Sequence, residues 1–120
     1  MIQFKPQIFS TLILLFCFSG VLNAHAVVTE HTIKIETIHA HQAKQVKLTF
    51  NSSIELGLSQ VFLVRIGDIE EKLAVHVGQV AGEVLVEIPA LDVGEYALHY
   101  KIFAADGHIT DDVIHFTVQP

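Results

Sequence analysis

A chain of 120 residues with thirteen acidic and seven basic side chains has a formal charge of −6 at neutral pH. That balance argues against nucleic acid and anionic membrane surfaces as partners, and the length suits one compact domain, not two. The single cysteine, Cys17, falls in an apolar leader, so the rest of the chain has no disulfide, no thiolate ligand and no thiol nucleophile.

The leader comes first along the chain. "MIQFKPQ" carries one lysine, and "IFSTLILLFCFSGVL" is an apolar run that ends in small residues and Asn-Ala. The run is shorter than the roughly 20 residues a spanning helix needs, and no stop-transfer flank follows it, so residues 1–24 read as a cleaved secretory signal. A lipoprotein box needs a small residue before its cysteine, and Phe16 stands there. Cleavage after Ala24 leaves a single domain, 25–120, that starts at His25. Ala24-His25-Ala26 is itself an A-x-A match, however, so cleavage after Ala26 with Val27 first stays open.

From there the hydrophobic period is two, the pattern of half-buried strands. "TIKIETI" (32–38) alternates Ile33 and Ile35, and "QVKLTF" alternates Val46, Leu48 and Phe50. "QVFLVRIG" (60–67) is apolar on both faces, as an inner strand would be. "KLAVHVG" sets Leu73, Val75 and Val77 on one side, and "EVLVEIP" does the same with Val84, Val86 and Ile88. "EYALHYKIF" aligns Tyr96, Leu98, Tyr100 and Ile102, and "DVIHFTV" closes with Ile114, Phe116 and Val118. The turn segments "NSS", "IGD", "VAG", "LDVG" and "AADGH" separate these runs. About seven short strands with this spacing predict an all-β fold, a small antiparallel Greek-key β-sandwich or barrel of immunoglobulin-like kind.

Two places carry donor chemistry. An N-terminal histidine at 25 would offer its α-amino and ring nitrogens to one metal ion. In the loop "FAADGHIT", Asp106 and His108 are two residues apart, so an extended backbone points both the same way. Gly107 between them permits close approach or positive φ. Three nitrogens and a carboxylate oxygen form a tetragonal set suited to Cu(II). On spacing alone the loop reads first as an ordinary hairpin turn with an exposed histidine, and copper remains a suggestion.

The chain resembles the CopC family of periplasmic copper-binding proteins over nearly all of residues 25–120. "HAVV" starts at His25, "VKLTF" ends at Phe50, and "GEYALHYKIFAADGHITDDVIHFTV" follows the family's run of Gly-x-Tyr, alternating strand, Ala-Asp-Gly-His and final Phe-x-Val strand. The resemblance implies a Greek-key sandwich or barrel that binds one Cu(II) per chain through His25, Asp106 and His108. It implies storage or delivery of copper in the periplasm, with a membrane copper-transport protein as partner, and we expect a monomer. Some members hold Cu(I) in a Met-rich loop. Met1 is the only methionine here and lies in the leader, so no such site is expected. The family's early Pro-Ala-x-Gly turn is replaced by "TIKIETI", and Tyr100 stands where a tryptophan is often found.

All eight histidines follow residue 24. His39 and His41 form an H-x-H pair, read as solvated surface or a weaker second site. His76, His99 and His115 fall opposite the apolar sets of their strands and are expected to face outward. His31 is near enough to the N-terminus to lend a ligand or a supporting contact. Asp111 and Asp112 would solvate a turn, or one would hydrogen-bond a ligand imidazole. Two other functional classes stand beside the copper carrier. One is a metal-free immunoglobulin-like module, indifferent to where its N-terminus falls. The other is a small copper redox enzyme with a histidine brace like that of the lytic polysaccharide monooxygenases. An equatorial carboxylate argues against the enzyme, because it fills the position that oxygen chemistry needs open.

Overall fold

The computed structural model describes residues 26–120; the leader and His25 lie outside them. Among the described residues nine strands form two sheets. The chain order is β1 (Val28–His31), a single helical turn α1 (Thr32–Ile35), β2 (Ile38–His39), β3 (Lys44–Phe50), a 3-10 turn at Leu56–Leu58, β4 (Gln60–Arg65) and β5 (Ile69–Lys72). β6 (Val75–Val77), β7 (Glu83–Ile88), β8 (Gly94–Phe103) and β9 (Ile109–Gln119) complete it. One sheet has the order β1-β3-β7-β6 and the other β2-β9-β8-β4-β5. Pairing is antiparallel except between β2 and β9, which run parallel.

The expected inward residues build the core. Val46, Leu48, Val84 and Val86 from one sheet meet Leu63, Leu98, Ile102 and Val118 from the other, all at most 1% exposed. Each such side chain contributes about 1.5–3 kcal/mol by leaving water. Tyr96 closes a corner of the kind common in Greek-key sandwiches: its hydroxyl donates to the Asp92 carbonyl at 2.9 Å, and its ring stacks on Phe116.

Two local expectations are corrected. The alternation of Ile33 and Ile35 is no strand. The chain must leave β1 for the opposite sheet, and it does so through α1, closed by Glu36 N–H to Thr32 O at 2.7 Å. Thr32 makes this possible with its hydroxyl, which accepts from Lys47 N–H at 2.9 Å and donates to Lys47 O at 3.3 Å, standing in for the next rung of the β1–β3 ladder. "KLAVHVG" is likewise not one strand. Leu73 N–H donates to Val61 O in one sheet, while Ala74 O accepts from Glu87 N–H in the other. The chain changes sheets between those two residues, Leu73 stays buried, and Val77 is left 70% exposed. The strand count rises to nine partly for this reason.

Candidate metal centre

The loop between β8 and β9 is a short, heavily bonded turn. Gly107 N–H donates to Ala104 O at 2.9 Å, Ala104 N–H donates to His108 O at 2.8 Å, and Gly107 adopts φ +91°. That backbone conformation favours glycine. Within the turn Asp106 Oδ1 accepts the His108 N–H at 3.0 Å, and its Oδ2 lies 3.0 Å from His108 Nδ1. The two expected donors therefore meet, with half of the His108 side chain and about a third of Asp106 open to solvent. The backbone N–H of His108, seconded by its ring, holds the Asp106 carboxyl below the usual aspartate range.

The roots of this loop are fixed by small polar side chains. Ser59 is buried; its hydroxyl accepts from Phe103 N–H at 3.0 Å and donates to Glu55 O at 2.9 Å. Glu55 N–H reaches Phe103 O, and Ala105 N–H reaches Ser53 O. The start of the described chain joins the same place. Ala26 is fully buried, and its carbonyl accepts from the Thr110 hydroxyl at 2.6 Å. Val27 N–H donates to Asn51 Oδ1 at 2.9 Å, and Asn51 N–H returns a bond to Val27 O. Three distant segments thus converge around the Asp106–His108 turn: residues 26–27, 51–55 and 103–110. His25 is outside the described residues, but its neighbour Ala26 is bound two positions after His108.

Sequence reasoning missed Ser59, Asn51 and Thr110. Asn51 sat in a segment recognised only as a turn, and nothing in the local pattern of Ser59 or Thr110 marks a hydroxyl that bonds to a distant segment of the chain.

The remaining histidines go elsewhere. His39 Nδ1 lies 3.1 Å from Pro120 O, and His41, at φ 63°, faces Asp92 at 3.6 Å, so the H-x-H pair is divided between two partners. His31 lines a cavity of about 560 Å³ with His115, Glu36 and Thr37, between α1, β2 and β9. His76 is near Glu87 at 3.7 Å. His99 faces outward as expected but is no solvated side chain: it is only 19% exposed and held between Glu70 and Asp111. Asp111 therefore does bind an imidazole, that of His99, while Asp112 Oδ1 accepts from Val113 N–H. Among the described residues no group of three or more histidine, cysteine, aspartate or glutamate side chains is arranged to hold a metal ion.

Residues 28–119 match the family model described as the CopC domain. The chain belongs to the CopC family. Solved structures agree with that assignment. CopC from Methylosinus trichosporium OB3b is 25% identical with a TM-score of 0.66, the match covering 80% of this chain and 95% of that one. PcoC, a methionine-rich copper resistance protein from Escherichia coli, shares the fold at 19% identity and a TM-score of 0.58, over 80% of this chain and all of the other. A comparison with curated protein sequences gives no significant match. Unlike the methionine-rich PcoC, this CopC domain has no methionine after Met1.

Proposed function

We propose that this chain is a copper resistance protein that carries Cu(II) in the periplasm, binding one ion without turnover. The ligands are the α-amine and imidazole of His25, the carboxylate of Asp106 and the imidazole of His108. The observation that supports this most is the Thr110–Ala26 hydrogen bond. It fixes the residue after His25 beside the turn that presents Asp106 and His108. It also favours cleavage after Ala24. Loss of Ala26 would remove a fully buried residue and leave the Thr110 hydroxyl without its acceptor.

The donor chemistry fits the cargo. Three nitrogens and one ionised carboxylate suit tetragonal Cu(II) and leave soft Cu(I) without thioether ligands. Asp106 is already a carboxylate, so loading must displace protons only from nitrogen donors. The half-open His108 ring gives an incoming ligand from a membrane copper-transport partner a route to the ion, as delivery requires. With a carboxylate in the equatorial set, the site binds and releases and does not activate oxygen.

Copper titration of the exported chain, followed by electron paramagnetic resonance, tests this reading. One equivalent of tetragonal Cu(II) with three nitrogen donors is expected. His108→Ala, and separately one extra residue before His25, should each weaken binding by at least about tenfold, in line with the loss of one ligand or its support. Unchanged affinity in both variants would overturn this ligand set, and a parent chain that retains no copper would be a metal-free β-sandwich module.

A further inference from the structure

His99 lies on the outer face of the five-stranded sheet, far in chemistry from the CopC loop. Its neighbours in the ladder are Phe62 of β4 and Val113 of β9. Nδ1 is 2.6 Å from Glu70 Oε1 of β5, and Nε2 is 2.6 Å from Asp111 Oδ1 of β9. A neutral imidazole has one N–H and one lone pair, and the lone pair would be pressed against a carboxylate oxygen. Only the imidazolium can donate in both directions. Phe62, with ring centroids 5.8 Å apart, adds a π face within reach of that cation.

We propose that His99 is a standing imidazolium that latches edge strand β5 across β4 to β8 and β9, and that losing its proton releases β5. The strand needs such a latch. All four of its residues are exposed, among the described strands it pairs with β4 alone, and it is also held by the surface pair Arg65–Glu71 at 2.9 Å. A pair of that kind contributes little.

Other charged groups on this face are Asp68 and His115, which line the same shallow hollow, together with Lys101 on β8 and Lys72 on β5. The two lysines oppose the cation, but the carboxylates in contact outweigh them. The Asp111 hydrogen bond, then that of Glu70, raises the ring above the ordinary histidine range against the opposing effect of burial. A raised value means the latch is fully present below the ordinary histidine range and is lost as pH rises through the raised one.

Ring-nitrogen NMR of the metal-free chain, with amide hydrogen exchange of Ile69–Lys72, tests the latch. His99 should keep protons on both nitrogens at pH values above the ordinary histidine range. As it titrates, β5 exchange, corrected for base catalysis, should rise about tenfold, as expected for a charge-assisted bond partly screened by water. His99→Gln should abolish that pH dependence. Glu70→Gln, on an exposed edge that tolerates it, should lower the His99 titration and speed β5 exchange at neutral pH. A single ring proton at neutral pH would overturn the proposal, as would titration of His99 within the ordinary histidine range or β5 exchange indifferent to His99.

Discussion

Thr110 shows how much depends on one hydroxyl. Thr110→Val keeps the shape but leaves the buried Ala26 carbonyl without its donor, a loss of about 1–3 kcal/mol. In the proposed site this change should lower Cu(II) affinity with Asp106 and His108 both intact, measurable by competition against a chelator of known strength. A role confined to stability would lower the melting temperature alone. Acid should act on different atoms. Protons compete with copper for the imidazoles and the amine. The Asp106 carboxylate contributes its stability above the ordinary aspartate range and loses it only as pH falls through its lowered value. The paramagnetic signal of bound copper should therefore fade on acidification while far-UV circular dichroism is still unchanged. Asp106 and His108 were legible from sequence because i, i+2 spacing in a glycine turn is a local property. Thr110 was not, since its partner is 84 residues away.

Among the elements, period-two alternation located β3, β4, β6, β7, β8 and β9 and passed over β1, β2 and β5. It failed at the crossings, where alternation persists although the chain is no longer in one sheet. Ile33 and Ile35 keep the rhythm of a strand, yet the backbone turns once as α1 because Thr32 has taken over the ladder bonds to Lys47. Removing that hydroxyl by Thr32→Val should therefore cost about 1–2 kcal/mol, read from urea denaturation. The family's Pro-Ala-x-Gly turn is absent from this stretch, and a threonine-anchored helical turn occupies it. At Leu73–Ala74 the periodic run even stays in phase while consecutive residues bond to opposite sheets. No single-strand pattern encodes such a switch, since it depends on where the two sheets lie.

For the whole molecule, composition and period sufficed to give an all-β sandwich with a mixed-sheet aliphatic core. The parallel β2–β9 pair and the final strand order follow from tertiary packing, which one sequence does not display. The convergence of three segments on the Asp106–His108 turn would link the proposed binding to global stability. Cu(II) at a hundredfold excess over its Kd should stabilise the chain by about 2.7 kcal/mol, and a chelator should reverse it. Calorimetry with and without metal reads this directly. An unchanged melting temperature would mean that copper does not bind the folded state.

The bond between Ala26 and Thr110 joins the two extremes of the domain, and this has a bearing on the order of events in the chain's life. The carbonyl belongs to the first residues of the domain to be synthesised, and the hydroxyl to the last strand. Closing so long a span is a late step in folding, because the entropy of the intervening chain opposes it until the sheets are in place. A nascent or truncated chain holds only one half of whatever is built across that contact. Metal held across that contact in the proposed site would report, by its presence, a polypeptide in which both sheets are already in place.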